Sequence, residues 1–145
     1  MDFPTDLSDP RRLAGYASQI SVVTVKSIRP GEERFGTPWT IADVRIELSL
    51  KGNQQGTISV LQQGGKRQST GTAVRIGGDT PLVQGKSYLL STTGTPGSNQ
   101  TVIPVYGIKP LTTSDLEKLK TTGDTPADEV SDMRRAVTHQ IPFTR

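Results

Sequence analysis

The stretch TIADVRIELSL, residues 40–50, decides the fold class, because apolar and polar residues alternate along it. A β-strand turns successive side chains to opposite faces of its sheet, so this period of two indicates a strand with one buried and one wet face. Such a pattern is typical of an antiparallel sheet or a barrel wall. The residues that we expect to face the core are Ala42, Val44, Ile46, Leu48 and Leu50.

Further strand signals lie on both sides of this stretch. Residues 19–28, 57–61, 87–92 and 101–106 are rich in β-branched or alternating apolar residues between turn residues, and 72–76 predicts a brief strand. The chain has 145 residues, of which only 32% are hydrophobic, with 15 glycines and 10 prolines, a composition that suits short strands and many turns. Five or six antiparallel strands of this length close most readily as a small OB-like barrel, and a sandwich is the alternative.

Helix signals flank the strands. Asp9 and Pro10 have the residue types of an N-cap and a first helical position, which predicts a short leading helix. The run from Ser114 to Glu117 has the spacing of a capping box and predicts a helix through Lys120. Apolar residues at helical spacing predict another helix over 126–138.

These signals divide the chain into three parts. We expect a flexible N-terminus over 1–9, a β-barrel domain with its leading helix over 10–110, and a C-terminal helical segment over 111–145. Helices this short are marginal alone in water, so we expect the C-terminal segment to pack on the barrel. A docking arm for a partner is the alternative.

Several site chemistries lack their residues. There is no cysteine and one histidine, which excludes disulfides, thiolate catalysis and cysteine-based zinc sites and predicts no metal or other cofactor. No apolar run approaches the roughly 18 residues of a membrane span. Gly85-Lys86-Ser87 matches the end of a phosphate-binding loop, but Thr80 stands where the first glycine belongs. We therefore expect a turn with a positive φ at Gly85, and no nucleotide binding.

The histidine, His139, raises the alternative of a hydrolase that uses it with a serine. It lies near the C-terminus at the end of a predicted helix, where an imidazole commonly interacts with the last carbonyls. No nucleophile motif of the Gly-x-Ser-x-Gly type accompanies it. We therefore expect a protein without catalysis.

A nucleic-acid-binding barrel is the other alternative. The net charge is +3, and Lys66 and Arg67 lie in a glycine-rich loop. Single strands bind barrel faces that combine basic residues with exposed aromatic rings, and Trp39 and Tyr88 are the two rings expected to point outward. These four residues form the candidate binding surface. Two aromatic rings are few for base stacking, so we do not expect nucleic acid to be the partner.

The order of the motifs resembles a known group of domains. Gly36-Thr37-Pro38, then Leu50-Lys51-Gly52, Gly64-Gly65 and the run GKSYLL at 85–90 follow one another across residues 13–107. In that order they are similar to small β-barrel domains of exported Gram-positive bacterial proteins. Most of those domains are uncharacterised.

This resemblance implies an extracytoplasmic, non-enzymatic binding or structural module at the bacterial cell surface. Its partner would be a protein or a cell-envelope component. Such a location assumes that an export signal has been removed before Met1, and a cytoplasmic location follows if Met1 is the native start.

Overall fold

The computed structural model describes residues 7–31, 38–52, 55–66, 73–74, 82–94, 100–103, 106–122 and 128–141. Within them, the helices are Pro10–Tyr16 (α1), Thr113–Thr122 (α2) and Asp128–Thr138 (α3). The strands are Gln19–Pro30 (β1), Trp39–Lys51 (β2), Thr57–Gln63 (β3), Gly65–Lys66 (β4), Ala73–Val74 (β5), Ser87–Thr93 (β6), Gln100–Val102 (β7) and Ile108–Leu111 (β8).

Five strands close into a barrel. They pair in the order β1-β2-β3-β7-β6, and β6 returns to pair with β1. The β3–β7 pairing is parallel, through Val60 with Gln100, whereas the other pairings are antiparallel. The extra strand β8 adds to β6, and β4 and β5 form a separate hairpin. The mainly β, OB-like barrel with flanking helices that the sequence predicts is therefore confirmed.

The buried apolar residues form two cores. The barrel core lies inside the strands and comprises Val23, Val25, Ala42, Val44, Val60, Leu82, Tyr88, Leu90, Val102 and Ile108. The helix-side core lies between the barrel and the helices and comprises Leu7, Leu13, Ala14, Ala17, Ile20, Val22, Leu89, Ile103, Val130, Met133 and Ala136.

A β-bulge transfers β2 from one core to the other. Val23 of β1 lies opposite Ile46, but its neighbour Val22 lies opposite Leu48, so β2 has one extra residue at Glu47. A bulge of this kind reverses the faces of the residues that follow it. Ala42, Val44 and Ile46 accordingly face the barrel core, whereas Leu48 and Leu50 pack on the helix-side core. The prediction that all five share one buried face is wrong from Leu48 onward.

The helices lie mainly where the sequence predicts, with one correction. Asp9 caps α1 by accepting a hydrogen bond from the Arg11 amide at 2.9 Å, as predicted. The capping box of α2, however, joins Thr112 and Asp115, whose backbone amides and side chains exchange two hydrogen bonds of 3.1 Å. The predicted box at Ser114 is therefore wrong by two residues. Leu7, near the end of the segment 1–9 that we expect to be flexible, is buried in the helix-side core.

The last strand that the sequence predicts is divided in the structure. The predicted strand over 101–106 ends at Val102 in β7, and the chain then turns at Gly107 into β8. Residues 104 and 105 lie outside the described part of the chain. Strand β8, which the sequence reading did not predict, extends the sheet to Leu111 before α2 begins.

Candidate binding face

One wall of the barrel is covered by helices, and another is not covered by any helix of the described residues. The first half of β1 and strand β6 turn Ile20, Val22 and Leu89 outward into the helix-side core. The second half of β1, the first half of β2 and strand β3 instead turn half-buried or exposed side chains outward. We call this surface the open wall. Its residues are Ser27, Arg29, Trp39, Ile41, Asp43, Arg45, Thr57, Ser59, Leu61 and Gln63.

Strand register builds the centre of the open wall. Asp43 of β2 lies opposite Ser27 on one side and Ser59 on the other. Ser59 Oγ donates a hydrogen bond to Asp43 Oδ1 at 2.6 Å, and Ser27 Oγ donates to Oδ2 at 2.9 Å. The guanidinium of Arg29 also donates to Oδ2. A single carboxylate therefore joins three neighbouring strands.

These contacts determine the acidity of Asp43. The hydrogen bond from Ser59, then that from Ser27, lowers the pKa of Asp43; burial opposes them, and Arg29 lowers the pKa further. All three neighbours donate to the charged carboxylate and so favour it. The serine hydroxyls use their protons in these bonds, so the cluster is built to hold a fixed charge and to align the strands.

A second ion pair lies farther along β2. Arg45 Nε donates to Glu47 Oε1 at 2.7 Å. The Glu47 side chain is 7% exposed, whereas the side chains of Arg45 and Arg29 are 41% and 51% exposed. Each guanidinium is thus fixed by a more buried carboxylate and has N–H groups beyond the one that this carboxylate accepts. The open wall presents two positioned hydrogen-bond donors to solvent.

Trp39 lies at the end of the open wall, opposite Gln63 and next to Gly31. Its side chain is partly exposed, and its carbonyl accepts a hydrogen bond from the Gly31 amide at 2.8 Å. The side-chain oxygen Oε1 of Gln63 is shielded from solvent and accepts no hydrogen bond from the described residues. An apolar ring therefore lies beside polar groups, which suits an amphipathic ligand.

The expectation that Tyr88 faces outward is wrong. Tyr88 is 3% exposed and belongs to the barrel core, and its hydroxyl accepts a hydrogen bond from the Val83 amide at 3.0 Å. Strand β6 is buried on both faces, so either orientation would have enclosed this ring. Trp39 and Tyr88 therefore do not form one surface.

The basic pair of the predicted surface is only partly described. The backbone of Lys66 pairs with Ala73 in the β4–β5 hairpin. Arg67 lies outside the described residues. The predicted strand over 72–76 is described at 73–74 alone.

The turn at Gly85 is confirmed. Gly85 has φ 84°, and β6 begins two residues later, so Lys86 and Ser87 lead into a strand. The Gly85 amide donates to Val25 O at 2.9 Å, and the Val25 amide donates to Lys86 O at 2.9 Å. These bonds attach the turn to β1. A phosphate-binding loop would instead lead into a helix N-terminus.

His139 is not among the residues of the open wall. Its amide donates to Arg135 O at 3.0 Å, and its carbonyl accepts from Arg11 Nε at 2.9 Å, beside α1. Among the described residues no serine hydroxyl is hydrogen-bonded to its imidazole. The described part of the chain also contains no group of three metal-ligating side chains, and none of its helices is long and apolar enough to span a membrane.

Comparison of the sequence with models of protein families and with curated proteins finds no match. The resemblance to exported barrel domains therefore stays a prediction.

Sequence reasoning missed most of the open wall. It identified Trp39 but not Arg29, Asp43 or Ser59, which meet only because of the strand register. The signal for Asp43 was its polar position in the alternating stretch. Its partners lie 14 and 16 residues away in sequence, and nothing in the pattern specifies that pairing.

Proposed function

We propose that this chain is a non-catalytic binding module whose ligand docks on the open wall. The observation that carries the proposal is the unequal covering of the barrel: helices bury one wall, whereas the wall of β1–β3 keeps its outward side chains accessible. Barrels of the OB type bind oligomeric ligands on the face of their second and third strands. Here that face is built from β2 and β3.

The side chains of the open wall favour a cell-envelope glycan polymer as the ligand. Trp39, Ile41 and Leu61 supply partly exposed apolar surface, on which the apolar face of a sugar ring would pack. Arg29 and Arg45, held by their carboxylates, supply hydrogen-bond donors for sugar oxygens. The likeness of residues 13–107 to exported domains supports an extracytoplasmic setting.

Single-stranded nucleic acid is the second candidate, favoured by the same strands and by the net charge of +3. Binding of single strands by base stacking requires several exposed aromatic rings. Because Tyr88 is buried, Trp39 is the aromatic residue that the described open wall offers. Both arginines of the wall are also neutralised by carboxylates. These two features favour the glycan ligand over nucleic acid.

Cosedimentation with purified Gram-positive cell walls tests the proposal. We expect the wild-type protein to sediment with the walls, and Trp39→Ala and Arg29→Ala to weaken this binding at least tenfold. Val83→Ala is the control, because Val83 is exposed but lies outside the open wall. Circular dichroism checks that each variant is folded.

Two results would contradict the proposal. One is wild-type protein that stays in the supernatant at every wall concentration, and the other is binding that Trp39→Ala and Arg29→Ala leave unchanged. A parallel titration with a fluorescent oligothymidine distinguishes the second candidate. Tight oligothymidine binding that is lost in Trp39→Ala would favour nucleic acid.

A further inference from the structure

The C-terminal end of α3 returns to the first helix. The Ile141 amide donates to Arg11 O at 3.0 Å, and Arg11 Nε donates to His139 O at 2.9 Å. Two hydrogen bonds of opposite direction therefore join the residues after α3 to α1. They fix the end of the C-terminal segment beside the start of the fold.

Lys51, at the end of β2, lies at the same junction. Its Nζ donates to Ala14 O at 2.7 Å and to Gln140 Oε1 at 2.9 Å, and Gln140 Nε2 in turn donates to Val137 O at 3.2 Å. Ala14 is in the last turn of α1, where carbonyls lack partners within the helix. One ammonium group therefore connects the C-terminal ends of α1 and α3.

The chemistry of the junction suits a cation. The C-terminal end of a helix carries partial negative charge, and here two such ends lie near one lysine. Burial lowers the pKa of Lys51, so placing its ammonium group at the junction costs desolvation free energy. The group is held in place by oxygen acceptors from two separate segments of the chain.

The barrel core is complete without α3. Every residue of that core comes from the strands or from Leu82, and the barrel closes through strand pairing alone. Helix α3 buries Val130, Met133 and Ala136 in the helix-side core, where α1 is its main neighbour. Departure of α3 would therefore leave the barrel core packed and would uncover apolar residues of the helix-side core, where α1 and β2 are the neighbours of α3.

We propose that residues 128–141 form a strap that detaches from the barrel as a unit, and that Lys51 is its latch. A released helix of this length has little stability of its own in water, so the detached strap would also unfold. Opening of the strap would expose apolar surface of the helix-side core on α1 and at the end of β2 while the barrel stays closed.

Hydrogen exchange of backbone amides tests the latch. Lys51→Met keeps the length of the apolar stem and removes the donors, so we expect exchange over residues 130–138 to accelerate at least tenfold. Amides of the barrel strands, such as that of Val60, should exchange at least tenfold more slowly than those of the strap in both proteins, because they open only when the barrel itself unfolds. Gln140→Leu, which breaks only the α3 side of the bridge, should accelerate the same segment by a smaller factor.

Two variants serve as controls. Lys26→Met makes the same chemical change at an exposed position of β1 and should leave every segment unchanged. Lys51→Arg, which restores a donor, should recover part of the protection. Equal protection of the strap and the barrel strands in the wild type, or global unfolding of Lys51→Met, would overturn the proposal by showing one cooperative unit. Unchanged exchange over 130–138 in Lys51→Met would overturn it as well.

Discussion

Ser59 Oγ lies 2.6 Å from Asp43 Oδ1, and this hydrogen bond crosses from β3 to β2 at the centre of the open wall. Ser27 and Arg29 complete the contacts of the carboxylate from β1. A charged group that accepts three hydrogen bonds from two neighbouring strands stabilises their register, because a slip of one residue would turn Asp43 to the other face.

Asp43→Asn should remove a contribution to stability that depends on pH. The lowered pKa of Asp43 means that this contribution is fully present above the pKa of the unfolded carboxyl, about 4, and is lost as pH falls through the lower folded value. The free energy of unfolding in urea should therefore differ most between wild type and variant above about pH 5. A difference that stays constant down to pH 2 would show that the charge of Asp43 contributes nothing.

Burial predicts how much free energy of unfolding is lost when a valine is replaced by alanine. Val44 is fully buried in the barrel core, whereas Val83 is 49% exposed. Val44→Ala should lower the free energy of unfolding by about 1.5–3 kcal/mol, through lost burial and the cavity that remains. Val83→Ala makes the same change and should cost less than about 0.5 kcal/mol. Urea midpoints that rank the two variants in the reverse order would mean that the register of β2 is wrong.

The buried hydroxyl of Tyr88 should matter for stability and not for binding. Tyr88→Phe removes the acceptor of the Val83 amide and should cost about 1 kcal/mol, the usual contribution of one hydrogen bond. Because Tyr88 lies inside the barrel, the variant should bind cell walls as the wild type does. Thermal unfolding and cosedimentation measure the two effects separately. Loss of cell-wall binding in a stable Tyr88→Phe protein would show that this residue belongs to the binding surface.

Two glycines should respond differently to alanine. A Cβ at Gly107 would clash with Ile103 O and would lie 2.8 Å from Ser91 O, so backbone atoms would have to move. We expect Gly107→Ala to cost about 3 kcal/mol or more. Gly85 has free space around the same position but a positive φ, and Gly85→Ala should cost only about 1–2 kcal/mol of backbone strain. Similar unfolding midpoints for the two variants would contradict the tight turn before β8.

The sequence predicted the barrel because its strand signals are local. Alternation over residues 40–46 and the glycine turn at 85 follow from side-chain direction and backbone sterics, which neighbouring residues determine. The bulge at Glu47 was not predictable in this way. It depends on how β2 pairs with β1, and that pairing is set by packing between distant segments.

The candidate site was harder to predict than the fold. Trp39 could be identified by its residue type, but the burial of Tyr88 depends on which face of β6 lies inside the closed barrel and on the turn that its hydroxyl contacts. The cluster around Asp43 likewise requires the register of three strands. Residue composition gives no information on such pairings, so the polar half of the open wall became visible only in the structure.

The fluorescence of Trp39 offers the most direct measurement of ligand binding at the open wall. The chain has one tryptophan, and it lies on that wall, so its emission reports on this surface alone. Titration with soluble cell-wall fragments released by a muramidase should shift the emission to shorter wavelength until the shift saturates. Arg29→Ala should raise the fragment concentration at half-saturation at least tenfold. An emission spectrum that stays unchanged while the same fragments bind the protein would contradict the account, because the ligand would then occupy another surface.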